Sequence, residues 1–190
     1  ANEALLGQLF LNLLLAAATA RGGSGITNAA QEPDVVVLGE MLRAMGAKIN
    51  GLGSKTIEIE GVPELQPVRF HNAPDRIEVG TYMIAAAMTG KPGSTLRIAG
   101  ADINHLGTEF LKDFTRTGAS IDDGEGWIDL TGPDRVNPVS ITTAPYPGFP
   151  TDLQAQWTVF MTCAEGPSRV TDPIYPERFQ HVPQLNKMGA

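Results

Sequence analysis

Cysteine is all but missing. Cys163 stands alone among 190 residues, so no disulfide can form within the chain, and a reducing, cytoplasmic setting is the expectation. Histidine is as scarce. His71, His105 and His181 are too far apart to form a close-spaced ligand pattern, which leaves no expected metal site. No cofactor is expected either: Gly51-Leu-Gly53 lacks a third glycine and opens no helix, so it is not a dinucleotide fingerprint. Basic residues are in deficit, 14 Lys plus Arg against 21 Asp plus Glu, for a net charge of -7. That balance excludes general affinity for nucleic acid or an anionic membrane. It leaves room for local anion binding by a few placed arginines and backbone N–H groups. A long apolar run is lacking too. The stretch 5–20 is broken by Gly7, Gln8 and Asn12, with no basic residues before it. It reads as a buried helix, capped by Asn2 and ended at Gly22–Gly23, not as a signal peptide or a membrane span.

What is present is an ordinary globular mixture, 42% hydrophobic and 18% charged. It suffices for one good core or for two small units. The informative feature is internal self-similarity. Three stretches close alike: Leu38–Ala47, Leu106–Ala119 and His181–Ala190 each end in Gly-Ala, with Gly46, Gly118 and Gly189 spaced 72 and 71 residues apart. Each glycine suits the left-handed position just past a helix. In phase with them run Leu14–Gly22, Met83–Gly90 and Thr158–Gly166, small or apolar stretches that read as buried helices. After these come short β-rich runs at Ser24–Asn28, Ser94–Ile98 and Ser168–Thr171. Strand pairs are expected within Lys48–Glu60 and Ser120–Leu130, and further strands at Val68–Asn72 and Val139–Thr143. The predicted class is α/β (α+β), built from strand-helix-strand-helix-strand-strand units. Both ends are ragged relative to the repeat, as in a fragment or as in degenerate caps.

Four junctions before helices carry the candidate chemistry. In Pro145-Tyr-Pro-Gly-Phe-Pro-Thr-Asp-Leu-Gln-Ala-Gln156, three prolines stiffen the approach to a helix start at Thr151 or Asp152. A plain N-cap explains an Asp or Thr there. The alternative is a carboxylate held at a rigid junction to serve as base or hydroxyl acceptor. At Pro74-Asp-Arg-Ile-Glu78, Arg76 is either part of a surface ion pair or a guanidinium aimed at an anion. At Pro173-Ile-Tyr-Pro-Glu-Arg178, Arg178 has the chemistry to grip a carboxylate or phosphate bidentately, against the plainer role of a surface arginine. Gln31-Glu-Pro-Asp34 fills the same slot in the first unit, Pro33 suiting the first helical turn. Cys163 has no His, Lys or Arg beside it and is expected as a small buried core residue. Trp127 and Trp157 are expected as core or interface aromatics.

The segments Asn28–Asp34, Ala44–Ile49, Pro74–Glu78 with Gly80–Ala87, Pro147–Gln156 and Glu177–Val182 together resemble the UDP-N-acetylglucosamine 1-carboxyvinyltransferase family of enolpyruvyl transferases, in order from about Ala16 to Ala190. The resemblance implies an inside-out α/β barrel of repeated units in each of two similar domains. It assigns 1–66 to the last unit of one domain, with an atypical apolar N-terminal helix, and 67–190 to the first and second units of the other. It implies transfer of enolpyruvate from phosphoenolpyruvate to the 3-hydroxyl of UDP-N-acetylglucosamine in peptidoglycan synthesis. Asp152 then matches the aspartate that contacts the sugar 3-hydroxyl and takes its proton. Ile174 matches a nucleotide-sugar contact, Arg178 a cleft arginine on the phosphoenolpyruvate side, and Arg76 another cleft residue. The family's active-site cysteine loop, its Lys-Asn pair and several arginines have no counterparts here, and Cys163 does not correspond to the catalytic cysteine. The expectation is therefore half a cleft without turnover on its own. The alternative is a non-catalytic or engineered self-associating scaffold, with homo-oligomerisation or a complementary segment covering the open faces.

Overall fold

The computed structural model describes residues 3–90 and 93–190, the side chains of 3–8 excepted. The expected cap at Asn2 lies outside the described residues. The chain divides into two compact units, Ala1–Ala73 and Pro74–Ala190.

The first unit runs α1 (Glu3–Ala18), β1 (Gly23–Thr27), α2 (Pro33–Ala44), β2 (Lys48–Asn50) and β3 (Thr56–Glu60). The strands form an antiparallel sheet in the order β1-β3-β2. Alternation along β3 sets its faces. Ile57 and Ile59 are buried while Thr56, Glu58 and Glu60 are exposed. Phe10, Leu14 and Ala18 of α1 and Val35 and Leu42 of α2 join the same core. Each large aliphatic side chain buried this way contributes about 1.5–3 kcal/mol. Pro33 opens α2, where its missing N–H costs nothing. Gly46, at φ 102°, closes it: its N–H donates to the Arg43 carbonyl (2.9 Å) and that of Ala47 to the Leu42 carbonyl (2.9 Å).

The second unit repeats the plan. It runs α3 (Arg76–Thr89), β4 (Thr95–Ala99), α4 (Thr108–Arg116), β5 (Ser120–Gly124) and β6 (Trp127–Thr131), with the antiparallel order β4-β6-β5. Then β7 (Ile141–Thr142), α5 (Gln154–Met161) and β8 (Val170–Thr171) form a second motif, and α6 (Val182–Lys187) follows. β7 and β8 are parallel, with α5 as the crossover. A cluster of Phe110, Phe114, Phe149, Trp157 and Phe160 fills the core with tilted and edge-on rings 5.1–6.4 Å apart. Gly118 and Gly189 again carry positive φ past α4 and α6. The expected mixture of helix and strand and its repeat are thus observed. The sheets are open and do not close into a barrel among the described residues.

Three expectations fail. α1 is not buried throughout, since Leu9, Leu13 and Leu15 are exposed on it, and it ends at Ala18, ahead of Gly22. Val68–Asn72 forms no strand, and most of it is exposed. In its copy at 139–143, Ile141 and Thr142 become strand because β8 offers them an edge. Residues 68–72 pair with no strand among the described residues. Cys163 is exposed, not buried. α5 stops at Met161, and the Thr162 and Cys163 N–H groups bond back to the Val159 and Phe160 carbonyls (both 3.0 Å). That tight turn carries Cys163 off the core-facing stripe of Trp157, Phe160 and Met161. Trp157 is fully buried and Trp127 half-buried.

Candidate functional site

β7 and β8 point their carboxyl ends the same way. In open parallel arrangements, ligands bind beyond those ends. Thr143 and Asp172 are the next residues on the two strands. Between them the chain passes through a cis Tyr146–Pro147 bond into a 3-10 turn, Thr151–Leu153, that leads into α5. Alternation separates two faces. Val139, Ile141 and Thr143 point inward, while Ser140, Thr142, Arg169 and Thr171 line an open cleft of about 350 Å³ against the charged side of α4.

Asp172 is 4% exposed and is the hub. Its Oδ1 accepts from Thr143 Oγ1 (2.7 Å) and from the backbone N–H groups of Ile174 (3.0 Å) and Tyr175 (2.9 Å). Its Oδ2 accepts from Thr151 Oγ1 (2.5 Å). Burial pushes its carboxyl up, but the four hydrogen bonds outweigh this and hold it below the usual carboxylate value. The buried group is therefore an anion at neutral pH.

Around this hub the structure gathers three of the four residues singled out from the sequence. Asp152 caps no helix: neither the 3-10 turn nor α5 has a side-chain cap. Its Oδ1 instead accepts from Arg178 Nη1 at 2.8 Å, in a pair with side chains 53% and 42% exposed. Arg178 Nη1 also donates to Thr151 Oγ1 (3.2 Å), and its guanidinium lies 4.7 Å from the Tyr175 ring centroid. Ile174 is buried, with its N–H on Asp172. Arg76 opens α3, capped by Asp75, whose Oδ1 accepts from Ile77 N–H (2.8 Å) and Glu78 N–H (3.3 Å). It stands one turn before Gly80, which packs on Leu153. Gln156 Nε2 donates to Thr81 Oγ1 (3.0 Å), tying α5 to α3. Gln154 is fully buried, and its amide makes no hydrogen bond among the described residues. The His181 ring stacks on Phe179 (6.2 Å), and burial lowers its pKa.

Asp172, Thr143 and Thr151 were not legible as a group. Thr-Asp-Pro reads as an ordinary turn, in which an Asp side chain accepts from N–H groups two residues on. The two hydroxyls come from other segments. Chemically, the assembly offers an exposed carboxylate beside an exposed guanidinium on a rigid, anion-centred frame. That suits a polar ligand with hydroxyl and anionic groups. Among the described residues no group of three or more His, Cys, Asp or Glu is placed to hold a metal ion. No helix among them is long and apolar enough to cross a membrane.

Comparison with known proteins gives first the class. The fold is that of an enolpyruvyl transferase: the structure of the enolpyruvyl transferase NikO from Streptomyces tendae superposes with a TM-score of 0.84 at 27% identity, over 95% of this chain and 42% of that one. An EPSP synthase from Acinetobacter baumannii shares the fold at a TM-score of 0.54 and 21% identity, over 83% of this chain and 36% of that one. The chain belongs to the EPSP synthase (3-phosphoshikimate 1-carboxyvinyltransferase) family, whose model matches residues 7–190. It is 48% identical over 179 residues to the UDP-N-acetylglucosamine 1-carboxyvinyltransferase of Chlorobium phaeovibrioides, covering 94% of this chain and 41% of that protein. It is 49% identical over 182 residues to that of Shewanella frigidimarina, covering 94% of this chain and 42% of that protein. The chain thus spans about two fifths of the length of these relatives.

Proposed function

We propose that this chain carries about half of the substrate cleft of an enolpyruvyl transferase. Its substrates are UDP-N-acetylglucosamine and phosphoenolpyruvate, and the product belongs to peptidoglycan synthesis. The observation that supports this best is the grouping of Asp152, Ile174 and Arg178 on one Asp172-centred frame. In this reading Asp152 accepts the proton of the sugar 3-hydroxyl. Ile174 contacts the nucleotide sugar. Arg178, and Arg76 from the start of α3, face anionic groups of the substrates. Residues 1–66 form the last unit of one family domain and 67–190 the first two units of the other.

Closing around two anionic substrates needs groups from both domains. The family's cysteine loop and Lys-Asn pair have no counterparts among these residues. We therefore expect binding without turnover by this chain alone. Ligand-observed NMR with UDP-N-acetylglucosamine tests the binding, and a phosphate-release assay with both substrates tests the turnover. No ligand signal at millimolar concentration overturns the reading. Phosphate release above the enzyme-free background overturns the claim of inactivity.

A second reading is favoured by α1. Leu9, Leu13 and Leu15 are 50%, 40% and 48% exposed on a helix whose other face is already buried. On that reading the chain is a non-catalytic domain that self-associates through α1 of a second copy. Light scattering decides: a strict monomer at high concentration sets it aside.

A further inference from the structure

We propose that Asp172 is the positioning residue of this site, orienting Thr151 and the Ile174–Tyr175 backbone so that Arg178 is held against Asp152. What the site binds rests on the proposed function; how it is held does not.

The argument starts from hydrogen-bond inventory. An ionised carboxylate only accepts. The hydroxyl protons of Thr143 and Thr151 must therefore both point at Asp172 (2.7 and 2.5 Å). With its proton committed, Thr151 Oγ1 turns its lone pairs away from Asp172, and one of them accepts from Arg178 Nη1 (3.2 Å). The same nitrogen reaches Asp152 Oδ1 (2.8 Å). The aromatic face under the guanidinium belongs to Tyr175, whose N–H is fixed on Asp172 Oδ1 (2.9 Å). Two of the three supports of Arg178 thus trace back to one buried carboxylate.

Exposure divides the labour. Asp172, at 4%, is closed to a ligand, whereas Asp152 and Arg178 are about half exposed and open to one. An Asp that merely shaped its own turn would need only the Ile174 and Tyr175 N–H groups. The hydroxyls of Thr143 and Thr151 arrive from the end of another strand and from the junction before α5. That convergence is what a frame for Asp152 and Arg178 requires.

The test uses the full 190-residue chain, isotopically labelled, with NMR of the Arg178 guanidinium as a readout that needs no ligand. Wild type is expected to show slowed rotation at Arg178 Nη. Asp172→Asn and Thr151→Val should abolish it while the remaining amide spectrum stays folded. Thr151→Ser, which keeps the hydroxyl, should retain it. With UDP-N-acetylglucosamine at one fixed millimolar concentration, ligand-induced shifts of the Ile174 amide should fall at least twofold in Asp172→Asn and Thr151→Val, and persist in Thr151→Ser. Arg178 remaining immobilised in Thr151→Val overturns the proposal. If Asp172→Asn does not fold, the Val and Ser pair at Thr151 decides. If wild type shows no ligand-induced shifts, the functional reading fails, and the Arg178 signals still decide the role of Asp172.

Discussion

Thr151 and Asp172 lie 21 residues apart and share a 2.5 Å hydrogen bond. That bond joins the entry of α5 to the exit of β8, two points of one parallel β7–α5–β8 unit. A junction that three prolines and a 3-10 turn already stiffen is thereby locked to a buried anion. The exposed pair Asp152–Arg178 sits on this lock and does not form it.

The first prediction concerns Asp152. Its pair with Arg178 is half exposed, and such pairs stabilise by about 1 kcal/mol or less. Asp152→Asn keeps the shape and removes the charge. It should abolish UDP-N-acetylglucosamine signals in ligand-observed NMR while thermal melts move by no more than that. Unchanged ligand signals with a loss of several kcal/mol would make Asp152 structural.

The second concerns pH. The folded carboxyl of Asp172 lies below its ordinary value of 3.8 because four hydrogen bonds to the anion outweigh its burial. The unfolded chain then binds the proton more readily than the folded one. Stability from Asp172 is present above the ordinary value and is lost as pH falls through the lower, folded value. Urea denaturation from neutral pH down through the carboxylate range should show wild type losing more stability than Asp172→Asn. Parallel profiles would contradict it.

A third prediction tests the packing under the site. A Cβ on Gly80 would stand 2.6 Å from Leu153 Cδ1, and Leu153 is fully buried. Gly80→Ala gains about 1 kcal/mol of helix propensity but incurs overpacking of about 1–3 kcal/mol. The net expectation is destabilisation by up to about 2 kcal/mol, with shifts at Thr151–Leu153 in the amide spectrum. A stabilised protein with an unmoved 3-10 turn would refute it.

The fourth concerns the thiol. Cys163 is exposed beyond the end of α5. A chromogenic aromatic disulfide should react with it fully in the native protein. Cys163→Ser should change stability by about 0.5 kcal/mol or less, as surface substitutions do. A thiol that reacts only in denaturant would show it buried.

Local pattern alone was enough for the repeat. Gly46, Gly118 and Gly189 mark helix ends because glycine adopts positive φ without strain, and this is a property of one residue and its neighbours. The alternation at Thr56–Glu60 was equally readable, because a strand's two faces are written into successive residues. Asp152 and Arg178 stood out at their helix junctions and Ile174 by motif resemblance, and their grouping became visible only in three dimensions. Tertiary structure decided the rest. Val68–Asn72 and Val139–Thr143 look alike as sequence, yet only the second has a neighbouring edge, and a strand is a property of a pair. Cys163 sits in an apolar run, yet the helix ends two residues earlier and turns it outward. Asp172 was invisible as a hub because the two hydroxyls it accepts from, those of Thr143 and Thr151, come from separate stretches of chain. Hydrogen bonds to a buried carboxylate depend on what the fold brings within 3 Å, and no local pattern encodes that distance.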